Sequence, residues 1–174
     1  MKLKYLILLF SFVFVFQNEV LAQESVSVIM ENAKAEAKKE NKNIIIMFHA
    51  SWCGWCKKMD ANMNTESCKD LFDKNFIVEH LTIMESDANK HLENPQAEAM
   101  FKKYTGGKRT GIPFWLIFNS DGELLEDSFD AKGNNLGCPA SKEEVAEFIN
   151  ILKKTASLAT EELQVISDQF IIKK

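Results

Sequence analysis

The spacing of apolar residues changes several times along this chain, and each change marks an element. From Ser25 to Glu40, Val28, Ile29, Ala33 and Ala37 recur at helical intervals among good helix formers, which predicts a helix with these residues on one face. Asn41-Lys42-Asn43 ends it. Ile44-Ile45-Ile46-Met47-Phe48 follows, a β-branched run without a polar residue, as expected of a central strand buried on both faces. A helix is expected to begin within Ser51-Trp52-Cys53-Gly54-Trp55-Cys56-Lys57-Lys58-Met59. Thr65-Glu66-Ser67 can cap a short helix running to Asp73. A second inner strand covers Phe76-Ile77-Val78 through Leu81-Thr82-Ile83, and a helix runs from Pro95 to Tyr104, before the Gly106-Gly107 loop.

The second half adds a strand at Pro113–Phe118 and a hairpin turn at Asn119-Ser120-Asp121-Gly122, leading into Glu123-Leu124-Leu125. Ser141 with Glu144 three residues on is a capping box for a helix to about Thr155. A last amphipathic segment, within about 158–171, carries an apolar stripe of Leu163, Val165, Ile166, Phe170 and Ile171. That stripe is expected to pack on its own domain, a dimer contact being the other reading. The order α-β-α-β-α-β-β-α plus one extra helix predicts an α/β fold, a mixed central sheet with helices on both faces. Residues 23–174 read as one domain, with no repeat or linker.

Residues 1–22 read differently. Lys2 and Lys4 precede an apolar run from Tyr5 to Phe16, and Val20-Leu21-Ala22 suits a cleavage site before Gln23. This is the pattern of a bacterial-type secretory signal peptide. The run is short of the ~20 residues that span a bilayer, so no stable membrane insertion is expected after cleavage. The expected location is exported, periplasmic or secreted, where disulfides persist. The net charge of −4 argues against nucleic acid as a partner, which calls for clustered positive charge.

Cys53 and Cys56 carry the candidate chemistry. In disulfide exchange the thiolate is the nucleophile, and a helix N-terminus, with its free N–H groups, favours that anion at Cys53. The CxxC spacing puts Cys56 on the same first turn, within reach of a mixed disulfide on Cys53. Cys53 is thus the expected attacking thiol and Cys56 the resolving one, with no metal or organic cofactor. A zinc site would need four ligands, and Cys68, Cys138 and the three histidines lack a second CxxC or an HxxxH. Cys68 and Cys138 could pair or could be buried free thiols.

A β-run, then WCGWCKKM, then Gly111-Ile112-Pro113, then the Ser120-Asp121-Gly122-Glu123 turn resembles the thioredoxin superfamily from roughly Ser25 to Thr155. Within it the chain is most similar to exported thioredoxin-like proteins with a WCGWCKK motif, some of which are protein-disulfide reductases. The resemblance implies a thioredoxin-like fold and a thiol-disulfide oxidoreductase, a reductase rather than an oxidase or isomerase. Its implied partners are disulfide-containing exported proteins and an upstream thiol electron donor. A non-catalytic peptide-binding module is the alternative of another class. The resemblance makes Pro113 a cis-proline facing the redox pair, and Trp52, Gly54, Trp55, Ile112 and Pro113 the substrate-binding residues.

The departures from the pattern are specific. Trp55 stands where most thioredoxins have proline, so no reduction potential is inherited. Met47 stands where thioredoxins bury an acid that accepts a proton near the resolving cysteine, and His49 stands at a position often aromatic. His80 aligns with a family lysine and is the candidate proton-transfer residue, since histidine titrates near neutrality. Lys57 and Lys58 read as a solvated face.

Overall fold

The computed structural model describes residues 23–172; the signal-peptide reading falls on 1–22, outside the described residues. Helix α1 (Val26–Glu40) is N-capped by Ser25 and buries Ile29, Ala33 and Ala37. Val28, expected on that face, is exposed instead. The helix ends at Asn41 in the left-handed region, a conformation asparagine tolerates. Strand β1 (Asn43–His49) is buried throughout Ile44–Phe48. It pairs in parallel with β2 (Phe76–Thr82) and antiparallel with β3 (Phe114–Phe118), which pairs with β4 (Leu124–Asp127). The sheet order is β2-β1-β3-β4.

Alternation along β1 and β3 separates two cores. Ile44, Ile46, Phe48, Phe114, Leu116 and Phe118 face α1 and α4 (Ala97–Thr105). Ile45, Met47, Trp115 and Ile117 face α2 (Gly54–Met63), α3 (Lys69–Asn75), α5 (Lys142–Thr155) and α6 (Thr160–Phe170). The expected mixed sheet with helices on both faces is therefore present. The capping box at Ser141 is also formed, with the Glu144 N–H donating to Ser141 Oγ and the Glu144 carboxylate accepting from the Ser141 N–H.

Two local expectations are corrected and one element is added. Thr65–Ser67 does not cap α3 through a side chain. The Thr65 hydroxyl turns back to the Asn62 carbonyl, and α3 starts at Lys69 after a backbone turn. A short 3-10 helix (Asp87–Leu92), with no buried residue to give it an apolar period, was not foreseen. In α6, Leu163, Ile166 and Phe170 are buried, with Phe170 against Phe148 and Phe72, while Val165 faces solvent. The α6 stripe thus packs on its own domain, as expected. Cys68 and Cys138 are unbonded and buried in that same core.

No helix among the described residues is long and apolar enough to cross a membrane. If α6 is part of this core, Ile166→Ala lowers the unfolding free energy by about 2–5 kcal/mol in urea titration. Val165→Ala changes it by less than about 0.5 kcal/mol.

Candidate active site

β1 leaves the sheet at His49, and the chain turns over Ala50–Cys53, with the Cys53 N–H donating to the Ala50 carbonyl at 3.0 Å. Cys53 is the N-cap of α2. Cys53 and Cys56 are joined by a disulfide, with Cα atoms 5.3 Å apart. The Cys56 N–H donates to Cys53 Sγ at 3.1 Å. A group in that position receives one of the helix's unpaired donors and lies at the positive end of its dipole, so a negative charge is stabilised there. Cys53 is 3% and Cys56 2% exposed, so exposure does not separate the two sulfurs. The asymmetry lies in the hydrogen bond and in position on the helix.

The Ile112–Pro113 peptide is cis, as expected. The Ile112 carbonyl lies 3.6 Å from Cys53 Sγ, so this loop covers the first sulfur. The loop is held by a residue the sequence reading passed over. Asn135 Nδ2 donates to the Gly111 carbonyl at 2.9 Å and to the Pro113 carbonyl at 3.0 Å. Its Oδ1 accepts from the Ser128 hydroxyl at 2.7 Å and from the Gly137 N–H at 3.1 Å. Gly137 has φ +58°, and a Cβ there would sit 3.7 Å from the Pro113 carbonyl oxygen. Nothing local to Asn134-Asn135 marks this role, because the two carbonyls it holds, those of Gly111 and Pro113, lie more than 20 residues back along the chain.

Trp52 and Trp55 flank the disulfide, 59% and 53% exposed, and Gly54 between them has no atom near its absent side chain. Both rings are therefore available to a partner. The Trp52 indole N–H donates to the Met84 carbonyl at 2.8 Å, which fixes the ring's edge while leaving its face open. The turn before Cys53 is held as well: Ser51 donates its N–H and its hydroxyl to the Glu85 carboxylate. Glu85 was not foreseen either. It lies just past β2, where the sequence shows only one more acid.

Met47 is fully buried beneath this end of the sheet, in register with His80 and Trp115. His80 does not reach the cysteines through a hydrogen bond; its Nε2 is 2.9 Å from Asp60 Oδ1, one helical turn beyond Cys56 on α2. The His80 ring packs edge-on against His49 at 5.2 Å between centroids. His49 Nε2 is 3.1 Å from the Thr82 hydroxyl. The His49 pKa lies below its ordinary value, chiefly because burial disfavours the cation, with His80 adding repulsion against the opposing pull of Asp60 and Glu85. Burial pushes the Cys138 thiol up to about 11, so it stays protonated at neutral pH. No group of three or more His, Cys, Asp or Glu among the described residues is arranged to hold a metal ion.

A lowered histidine pKa has a defined sign. Below ~6.5 the unfolded chain takes up a proton that folded His49 refuses, so stability falls with pH until the folded value is reached. Compared with His49→Gln, the unfolding free energy of the native protein is level above pH about 6.5. Below that it drops by up to about 1.4 kcal/mol per pH unit in denaturant titrations. Parallel curves would show that His49 titrates as freely folded as unfolded.

Residues 27–120, more than half of the 174-residue chain, match the family described as thioredoxin-like. Among solved structures the chain is similar to a disulphide isomerase from Xylella fastidiosa Temecula1, at 22% identity and a TM-score of 0.48, covering 90% of this chain and 93% of that one. It is similar to the reduced DsbD C-terminal domain of Neisseria meningitidis at 28% identity and a TM-score of 0.41, covering 60% and 84%. It is also similar to a thioredoxin from Thermus thermophilus at 16% identity and a TM-score of 0.41, covering 62% and 71%.

Proposed function

The chain belongs to the thioredoxin-like family, and from that premise we propose that it is a thiol-disulfide oxidoreductase that reduces disulfides of exported proteins, in the manner of WCGWCKK-type thioredoxin-like reductases. The observation that carries the reading is the disulfide at the start of α2, with Cys53 as N-cap and the Cys56 N–H on its sulfur. Location in the periplasm or outside the cell is part of the proposal and rests on residues 1–22.

In the cycle, the Cys53 thiolate attacks one sulfur of a substrate disulfide. The substrate S–S bond breaks, a mixed disulfide forms, and the departing substrate thiolate takes a proton. Cys56 then gives up its proton and attacks Cys53 Sγ, releasing the second substrate thiolate and leaving the Cys53–Cys56 disulfide. An upstream dithiol returns two electrons and is itself oxidised. The substrate segment lies along Ile112 and Pro113, flanked by Trp52, Gly54 and Trp55. His80, hydrogen-bonded to Asp60 one helical turn beyond Cys56, is the proposed acceptor of the Cys56 proton in place of the acid that Met47 replaces, with no direct hydrogen bond between them in the disulfide form.

Cys53→Ser abolishes reduction of a model disulfide protein supplied with dithiothreitol. Cys56→Ser, lacking the resolving thiol, accumulates a mixed disulfide with the substrate, seen by non-reducing electrophoresis. If Cys53→Ser retains turnover, Cys53 is not the nucleophile. If the native protein binds client peptides but never turns them over, the chain is a binding module. Net oxidation of reduced clients by the disulfide form would instead favour an oxidase.

A further inference from the structure

Glu85 is the only charged side chain buried among the described residues, at 5% exposure. Burying a carboxylate is costly unless donors replace its water. Here the Ser51 N–H donates to one oxygen and the Ser51 hydroxyl donates to the other at 2.8 Å. Burial raises its pKa, but hydrogen bonds from Ser51 and Asn89 outweigh this and hold the carboxyl below its ordinary value, in the ionised form. The segment is secured from its other side, where the Glu85 N–H donates to Glu93 Oε1 at 2.8 Å and Lys90 Nζ donates to the same oxygen at 2.8 Å.

The residue before it is equally committed. Met84 has φ +58°, a left-handed conformation that costs a side-chain-bearing residue roughly 1 kcal/mol or more. That conformation persists where surrounding contacts over-determine it, and here they do: the Met84 carbonyl accepts the Trp52 indole N–H. Two consecutive residues after β2 therefore grip two consecutive residues before Cys53. None of these bonds is needed for the sheet, whose pairing ends at Thr82.

We propose that Glu85 is a positioning residue of the redox site, holding the Ser51–Trp52 turn and placing a fixed negative charge beside the N-terminus of α2, where it tempers the thiolate of Cys53. This rests on Cys53 and Cys56 being the redox pair. The helix end and the Cys56 N–H favour the thiolate, and the buried carboxylate opposes them. Reducing the Cys53–Cys56 disulfide with a dithiol breaks the S–S bond, takes two electrons and two protons, and oxidises the donor. Ionisation of Cys53 then releases one proton. A nearby anion discourages that release, so it weights the equilibrium toward the disulfide and makes the dithiol the stronger reductant.

Two readouts test this: the equilibrium with dithiothreitol or glutathione buffers, and the pH dependence of iodoacetamide alkylation of the reduced protein. Glu85→Gln keeps the shape and one acceptor but removes the charge. It is expected to shift the equilibrium toward the dithiol by about threefold or more and to move the alkylation midpoint to lower pH. Ser51→Ala, which leaves the charge and removes a donor that offsets it, is expected to move both readouts the other way. If both variants match the native protein in both readouts while only thermal stability falls, Glu85 is structural and the proposal is wrong. If the native protein itself shows no reversible couple, the redox assignment of Cys53 and Cys56 fails, a result distinct from the previous one. Should Glu85→Gln not fold, Ser51→Ala alone decides: an unchanged midpoint and equilibrium overturn the proposal, and an upward midpoint supports it.

Discussion

A strand buried on both faces has no place for a polar side chain until it leaves the sheet, and β1 meets that constraint from Ile44 to Phe48. One set of its side chains meets α1 and α4, and the other meets α2, α3, α5 and α6. The polar residues His49, Ser51 and Trp52 therefore come together at one end, just where α2 begins. Placing a cysteine there makes it a helix cap, and the Cys56 N–H reaches its sulfur as a consequence of that placement. The chemistry of the site follows from where the core strand stops.

Around that point two other segments converge. The Gly111–Pro113 loop enters β3 over Cys53 and is tied down by Asn135. The Met84–Glu85 segment leaves β2 and ties down the turn in front of Cys53. Because β1 is hydrogen-bonded to both β2 and β3, these segments meet at the ends of neighbouring strands. The electrostatic result is a contest: unpaired helix N–H groups stabilise an anion on Cys53, and the buried Glu85 carboxylate, hydrogen-bonded to Ser51 in the turn before it, opposes it.

The parts of the fold carried by local pattern were legible in the sequence. The apolar run of β1, the CxxC at a strand-to-helix turn, the Ser141–Glu144 capping box and the Asn119–Gly122 turn each declare themselves within a few residues. What escaped depends on contacts between distant residues. Thr65 could bond forward as a cap or backward to Asn62, and sequence does not choose. Val28 and Val165 share the apolar character of their helices but fall just outside the buried arc. Asn135 and Glu85 act on residues far along the chain, so no motif marks them. His80 stands out in the sequence as a histidine at the position of a family lysine, but its partner Asp60 on α2 lies 20 residues away and meets it only when the elements pack.

The most direct measurement is the reduction potential of the Cys53/Cys56 pair in the native protein, by equilibration in graded thiol buffers with Cys53→Ser as control. The expected result is a reversible two-electron couple near or below about −250 mV, on the side of thioredoxin. A value of about −120 to −180 mV would contradict reduction as the direction of the reaction and assign the protein to disulfide formation or isomerisation instead.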